Sequence, residues 1–195
     1  MAKLYFHYST MNAGKSTLLL QASCNYRERG MDTLLLTAAV DTRAGAGCIG
    51  SRIGISAPAL SFAPEDDLFA LIRDRGTGCA CIFLDEAQFL SPAQVWQLAR
   101  VADDLNQPVM AYGLRTDFRG ELFPGSAALL ALADDLREVR TICHCGRKAT
   151  MVVRLDGEGH AVRQGAQIQI GGSETYVSLC RRHWREAMEP SPGGR

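Results

Sequence analysis

The sequence predicts an α/β fold, a parallel sheet flanked by helices and carrying a P-loop, joined to a small C-terminal β-rich zinc-binding domain. Three observations predict it. From residue 1 to about 140, apolar strand-like runs alternate with helical patterns, the rhythm of parallel strands joined by helical crossovers. The run Ser9-Thr10-Met11-Asn12-Ala13-Gly14-Lys15-Ser16 stands between the first such strand and the first such helix. Beyond it, short β pieces lie between a Cys-x-Cys pair and a distant Cys-x-x-His pair. On this reading residues 1–140 form the P-loop domain, 141–189 the zinc-binding domain and 190–195 a disordered tail.

Leu4 to Tyr8 reads as a buried strand, and Thr17 to Ala22 opens a helix, so strand, loop and helix follow in the order a phosphate-binding loop requires. In such a loop backbone N–H groups converge on phosphate, Lys15 adds a mobile charge and the Ser16 hydroxyl ligates magnesium. Ser9 occupies the place of the glycine that opens the strict pattern. An ordinary turn containing Gly-Lys-Ser is the alternative on this segment alone. Further strands are expected over Thr33 to Val40, Cys79 to Leu84, Pro108 to Tyr112 and Glu138 to Ile142. Helical spacing marks Asp66 to Arg75, Pro92 to Leu105 and Gly125 to Leu136, with Ser91 as N-cap before Pro92 at the first helical position. After the boundary come Met151 to Leu155 and Ala166 to Ile170, with the turn Asp156-Gly157-Glu158-Gly159 between them.

A chain of 195 residues with 47% hydrophobic content can build a sizeable core. Its 21 basic and 21 acidic residues cancel, so no global field draws it to nucleic acid or an anionic membrane, and neither partner is expected. No apolar run approaches the roughly 18 residues of a spanning helix, and the N-terminus lacks a signal-peptide core. Seven cysteines, an odd number dispersed along the chain, suit a reducing compartment, and the cytoplasm is expected.

The Cys79 to Leu84 run delivers two carboxylates, Asp85 and Glu86, at its C-terminal end. An aspartate there completes the magnesium site begun by Ser16. Glu86 projects differently and is free to accept a proton from an attacking hydroxyl. A solvated acidic turn is the plain alternative.

Cys143, Cys145, Cys180 and His183 offer three thiolates and an imidazole for tetrahedral zinc, a closed structural site. The Cys-x-Cys spacing is shorter than usual and leaves His144 as a substitute ligand. Packed thiols are the alternative, and Cys24, Cys48, Cys79 and Cys81 are read that way, the last two sharing one side of a strand. Arg43 follows the second strand, at the sheet edge where ligands collect. The segment Tyr112 to Phe123 mixes aromatic and polar groups suited to a planar base, and Gln167 to Gly172 ends in two glycines that let backbone approach a ligand closely.

Together these motifs resemble the type II thymidine kinase family, the zinc-containing cytosolic kind, over almost the whole chain. The resemblance rests on residues 9 to 16, Asp-Glu-Ala-Gln-Phe at 85 to 89, Tyr-Gly-Leu-Arg-Thr-Asp-Phe at 112 to 118, and the stretch from Gly171 to His183. Bacterial members share the opening serine and the shortened Cys-x-Cys. The resemblance implies a RecA-like sheet and transfer of the γ-phosphoryl of ATP to the 5′-hydroxyl of thymidine, and of deoxyuridine. Glu86 matches the general base, and Ser16 and Asp85 the magnesium side. Ser9 to Ser16, Arg43, Asp85, Glu86, Ala87 and Gln88 would surround the ATP phosphates. Met11, Phe89, Leu114, Phe118 and Phe123 would line the base pocket. Gln167, Ile168, Gln169, Ile170, Gly171 and Tyr176 match a lasso loop whose main chain pairs with the base, and zinc would anchor its ends. The resemblance further implies a homotetramer inhibited by thymidine triphosphate. The rival readings are a P-loop motor whose zinc ribbon engages nucleic acid and a nucleotide sensor without catalysis.

Overall fold

Leucine, phenylalanine and other apolar side chains of the central strands are buried on both faces of a six-stranded sheet, and the helices that cover those faces are where the sheet's crossovers run. A computed structural model describes residues 1–167 and 176–189. The sheet is built from β1 (Leu4–Ser9), β2 (Thr33–Ala38), β5 (Leu60–Phe62), β6 (Cys81–Asp85), β7 (Val109–Leu114) and β8 (Asp135–Glu138). They run in the order β5-β2-β6-β7-β1-β8. Every pairing in it is parallel.

Strand alternation divides the core. Phe83 faces α1 (Lys15–Arg27), packing with Leu19, Leu20, Leu35 and Tyr112, whereas Ile82 and Leu84 face α2 (Leu68–Arg75), α3 (Pro92–Asp104) and α4 (Pro124–Leu132). The α3 start has its sequence-predicted form: Ser91 Oγ accepts from the Gln94 N–H, and the Gln94 side chain accepts from the Ser91 N–H, a capping box with Pro92 at the first position.

Several expected boundaries move. The predicted strand from Glu138 to Ile142 splits into β8 and a two-residue β9 (Thr141–Ile142), and the helix expected as far as Leu136 ends at Leu132. The cause lies at Asp134. Its N–H donates to the Leu4 carbonyl and its carboxylate accepts from the Leu4 N–H, which draws the following residues into the sheet beside β1. Cys79 lies ahead of β6 in a turn, its N–H bonded to the Gly76 carbonyl, so it does not share a strand with the buried Cys81. The hairpin of β3 (Cys48–Gly50) and β4 (Ser56–Pro58), and the edge strand β5, are too short to show a period in the sequence.

Past β8 the chain forms small antiparallel pairs, β9 with β10 (Lys148–Ala149) and β11 (Met151–Arg154) with β12 (Tyr176–Leu179), and closes on α5 (Arg181–Met188). They share an apolar cluster of Cys143, Ala149, Val153, Leu179, Cys180 and Trp184. The helix α5 was not anticipated from the β-rich pattern. Ala166 and Gln167 are not strand residues. Ile168, Gln169, Ile170 and Gly171, and the tail from Pro190, lie outside the described residues.

Candidate active site

The phosphate loop grows directly out of β1. Gly14 caps α1 in the left-handed region, at φ 87°, a conformation glycine adopts without strain, and this turns the chain so that Lys15 and Ser16 open the helix. The Lys15 ammonium is buried and donates to the Thr10 carbonyl at 2.8 Å. Burial lowers its pKa, opposed by the charges of Glu86 and Asp85. Ser9 has a task glycine could not perform: its hydroxyl donates to the Val139 carbonyl and binds the mouth of the loop to the end of β8.

Asp85 ends β6 and is buried. Its pKa is pushed up to about 7, chiefly by burial and then by the charge of Glu86, against the hydrogen bond from Ser16, the Glu86 N–H and the charge of Lys15. Ser16 and Asp85 thus bring a hydroxyl and a carboxylate close together at the phosphate loop.

Glu86 stands in the left-handed region, at φ 55°, an uncommon conformation for a residue with a side chain. It turns the chain out of the strand into a short 3₁₀ turn, Ala87–Phe89. The Glu86 carboxylate is gripped from two sides, by the Arg43 guanidinium and the Gln88 amide. Arg43 is itself fixed by a bidentate pair with Asp41, Nε to Oδ1 at 2.7 Å and the terminal nitrogen to Oδ2 at 2.9 Å. Gln88 is buried, and its side-chain Oε1 accepts from the Leu114 N–H at 2.9 Å. Gly113 makes this approach feasible, because a Cβ there would stand 2.9 Å from the Gln88 nitrogen.

Two clefts meet at this carboxylate. One, of about 1810 Å³, is lined by Met11 to Thr17, Asp41, Arg43, Ala44, Gly50 to Ile53, Glu86 and Leu114. The other, of about 600 Å³, is lined by Met11, Asp41, Arg43, Glu86, Gln88, Phe89, Leu114, Thr116, Asp117, Phe118, Phe123, Val152, Gln167 and Tyr176. Their common wall is Met11, Asp41, Arg43, Glu86 and Leu114. The second cleft gathers Met11, Phe89, Leu114, Phe118, Phe123, Gln167 and Tyr176 from the base-pocket prediction. Ser9, Thr10, Asp85 and Ala87 are buried and line neither cleft.

Thr116 and Asp117 of the second cleft fall in the Tyr112 to Phe123 segment without being singled out as site residues; sequence reasoning missed Asp41 and Val152 there, and Thr17, Ala44, Gly50, Ser51, Arg52 and Ile53 in the first. Asp41 precedes the singled-out Arg43 by two residues, a spacing that suits a mutual ion pair. Asp117 organises its own loop, its carboxylate accepting from the Arg119 and Glu121 N–H groups at 2.9 Å each. Arg52 and Ile53 arrive on the β3–β4 hairpin, which carried no signal.

The cysteine cluster forms at the far end of the chain. The ligand atoms of Cys143, Cys145, Cys180 and His183 all lie within 4.8 Å of one another. His183 presents Nδ1, 3.3 Å from Cys143 Sγ and 3.5 Å from Cys180 Sγ. Burial raises the Cys143 thiol, but the Cys145 and Cys180 N–H groups and His183 bring it down to about 6. Three soft thiolates and an imidazole are the donor set of a closed tetrahedral zinc site. His144 is not one of these four; its Nδ1 lies 3.7 Å from Cys143 Sγ, and its ring stacks on His183, centroids 4.3 Å apart.

Comparison with known proteins finds thymidine kinases. A family model described as thymidine kinase matches residues 2–184. A thymidine kinase of Ruegeria pomeroyi is 75% identical over 189 residues, covering 96% of this chain and 96% of its own. One from Jannaschia sp. is 68% identical, covering 98% of this chain and 100% of its own. One from Rhizobium meliloti is 68% identical over 96% of this chain and 98% of its own.

Proposed function

The chain belongs to the thymidine kinase family, and from that premise we propose that it transfers the γ-phosphoryl group of ATP to the 5′-hydroxyl of thymidine, with Glu86 as the base. The observation that carries the assignment of roles is the meeting of two clefts at Glu86 and Arg43. The larger, walled by the phosphate loop, takes the triphosphate. The smaller, with Phe89, Phe118, Phe123 and Tyr176 around it, takes the planar base and sugar.

The chemistry is positioning and charge stabilisation. The loop N–H groups and Lys15 hold the phosphates, and Arg43 stands at the junction where the transferred group must pass. Glu86 accepts the 5′-hydroxyl proton as that oxygen attacks the γ-phosphorus and the bond to the β-phosphate oxygen breaks. Arg43 and Gln88 keep its carboxylate aimed at the junction. The hard oxygen donors of Ser16 and Asp85 fit magnesium, which would neutralise the triphosphate charge. Zinc held by Cys143, Cys145, Cys180 and His183 would fix structure and take no part in the reaction.

The same reading takes residues 1–140 as the kinase domain and 141–189 as the zinc-binding domain. Family membership also supports deoxyuridine as an acceptor, thymidine triphosphate as a feedback inhibitor and a homotetramer. Among the described residues no helix is long and apolar enough to cross a membrane, and we place the enzyme in the cytoplasm.

Incubation with thymidine and ATP labelled in the γ-phosphate tests the assignment. Label is expected on thymidine monophosphate. ATP hydrolysis stimulated by nucleic acid, with no label on thymidine, would instead favour a motor.

A further inference from the structure

We infer that Arg154 is a positioning residue for the acceptor site, fastening the chain that leads into Gln167 to the ring of Phe118. The inference rests on reading the smaller cleft as the nucleoside site. Arg154 ends β11 and is only 5% exposed. Its guanidinium donates to the Ala166 carbonyl at 3.0 Å and to the Gln164 carbonyl at 3.4 Å. The same group lies over Phe118, 4.1 Å from the ring centroid, in cation–π contact. Among the described residues no carboxylate pairs with it.

A buried cation without a carboxylate is an expensive way to stabilise a fold, and an apolar side chain of similar length is often as good. What the guanidinium supplies is geometry. Its planar fork can reach two carbonyls and a ring at once. Phe118 and Gln167 both line the smaller cleft, one from the loop after β7 and the other from the segment beyond β11. Among the described residues, only Arg154 bonds to the residues just before Gln167 while touching the Phe118 ring. Gln167 has a second, longer tie, its amide to the Leu122 carbonyl at 3.5 Å. Gly165 fits the arrangement: it lies at φ 133°, and a Cβ on it would stand 2.5 Å from the Arg154 terminal nitrogen.

Arg154→Met keeps length and apolar bulk while removing both hydrogen bonds and the charge. Two readouts score it. Amide hydrogen exchange over residues 162–167 of the ligand-free protein is expected to quicken by about tenfold or more, since local opening is governed by the lost bonds. The KM for thymidine is expected to rise about tenfold, while kcat and the KM for ATP stay within about twofold. Arg154→Lys, which keeps the charge and one carbonyl bond, is expected to fall between the two. Gly165→Ala, which leaves the arginine in place but displaces its terminal nitrogen, is expected to raise the thymidine KM in the same sense. Unchanged exchange would show that Arg154 holds nothing. Faster exchange with an unchanged thymidine KM, or an equal loss towards ATP, would overturn the positioning role. Failure of the nucleoside reading would look different: the unaltered enzyme would not phosphorylate thymidine, while exchange would still report whether the latch exists.

Discussion

The indole N–H of Trp184 donates to the carbonyl of Phe118 at 3.0 Å. It shares that proton with the Val152 carbonyl at 2.9 Å. Trp184 follows His183 on α5, and Phe118 and Val152 both line the smaller cleft. One hydrogen therefore links the helix that carries His183 of the Cys/His cluster to two points on the cleft wall. The Ser178 hydroxyl donates to the Met11 carbonyl at 2.6 Å, tying β12 to the phosphate loop. The contacts between the cysteine-bearing module and the cleft walls thus run through backbone carbonyls.

Trp184→Phe keeps the apolar packing of α5 but leaves two carbonyls without their donor. A buried acceptor stripped of its partner costs about 1–3 kcal/mol. We expect a lower melting temperature and a thymidine KM raised several-fold, with the ATP KM little changed. Steady-state kinetics with each substrate varied in turn, beside a thermal melt, would check it.

Loss of metal should act through the same route. Cys180→Ser removes one of three thiolates, and a four-coordinate zinc site does not tolerate this well. The protein as purified is expected to carry about one zinc per chain and the variant markedly less, measured by elemental analysis. Thymidine binding should weaken more than ATP binding. Parent protein free of zinc at full thymidine affinity would remove the cluster's role as a support.

Glu86→Gln tests the base. The amide matches the carboxylate in shape and can still meet Arg43, but it cannot take a proton. General-base loss lowers turnover by about 10²–10⁴-fold. ATP affinity by equilibrium titration is expected to hold. Turnover near that of the parent would exclude Glu86 from proton transfer.

How far the sequence carried this reading depended on whether a residue's role is written in its neighbours. Gly14, Lys15, Asp85 and Glu86 occur in local patterns whose geometry follows from strand, loop and helix order, and the structure brings them together. The four ligand residues of the cluster were legible because thiol and imidazole side chains have few other reasons to pair at such spacings. What stayed hidden depends on long-range contacts. Asp134 ends a helix early because of a partner 130 positions away, and Arg154 has no motif around it. The β3–β4 hairpin brings Arg52 to the phosphate cleft on strands of three residues each, too short for alternation to register.

Gly113→Ala probes the packing that aims the 3₁₀ turn. The added methyl would stand 2.9 Å from the Gln88 nitrogen, 3.0 Å from its side-chain oxygen and 3.2 Å from the Ala87 Cβ. Overpacking of this kind costs about 1–3 kcal/mol. Because the strained atoms belong to the residues after Glu86, kcat should fall along with stability. A stable variant with unchanged kcat would mean that the turn relaxes without moving the carboxylate.

His7 predicts the acid limb of the stability curve. It lies half-buried on β1, stacked on Tyr112 of β7 with ring centroids 4.3 Å apart, and its Nε2 is buried without a hydrogen-bond partner among the described residues. Burial, then the Arg137 charge on β8, lowers its pKa from 6.5 to about 4, while Asp135 on the same strand pulls the other way. The folded state therefore holds a neutral ring where the unfolded chain would bind a proton. Stability attributable to this site is complete above pH 6.5 and falls as the pH drops towards 4, below which both states are protonated and the loss is finished. With a ring that still meets solvent, screening reduces the effect to roughly 1–2 kcal/mol. His7→Phe preserves the stacking and removes the titration. Urea unfolding across this range should show the parent losing stability with acid and the variant following a flatter line. Equal slopes would show that the ring titrates alike in both states.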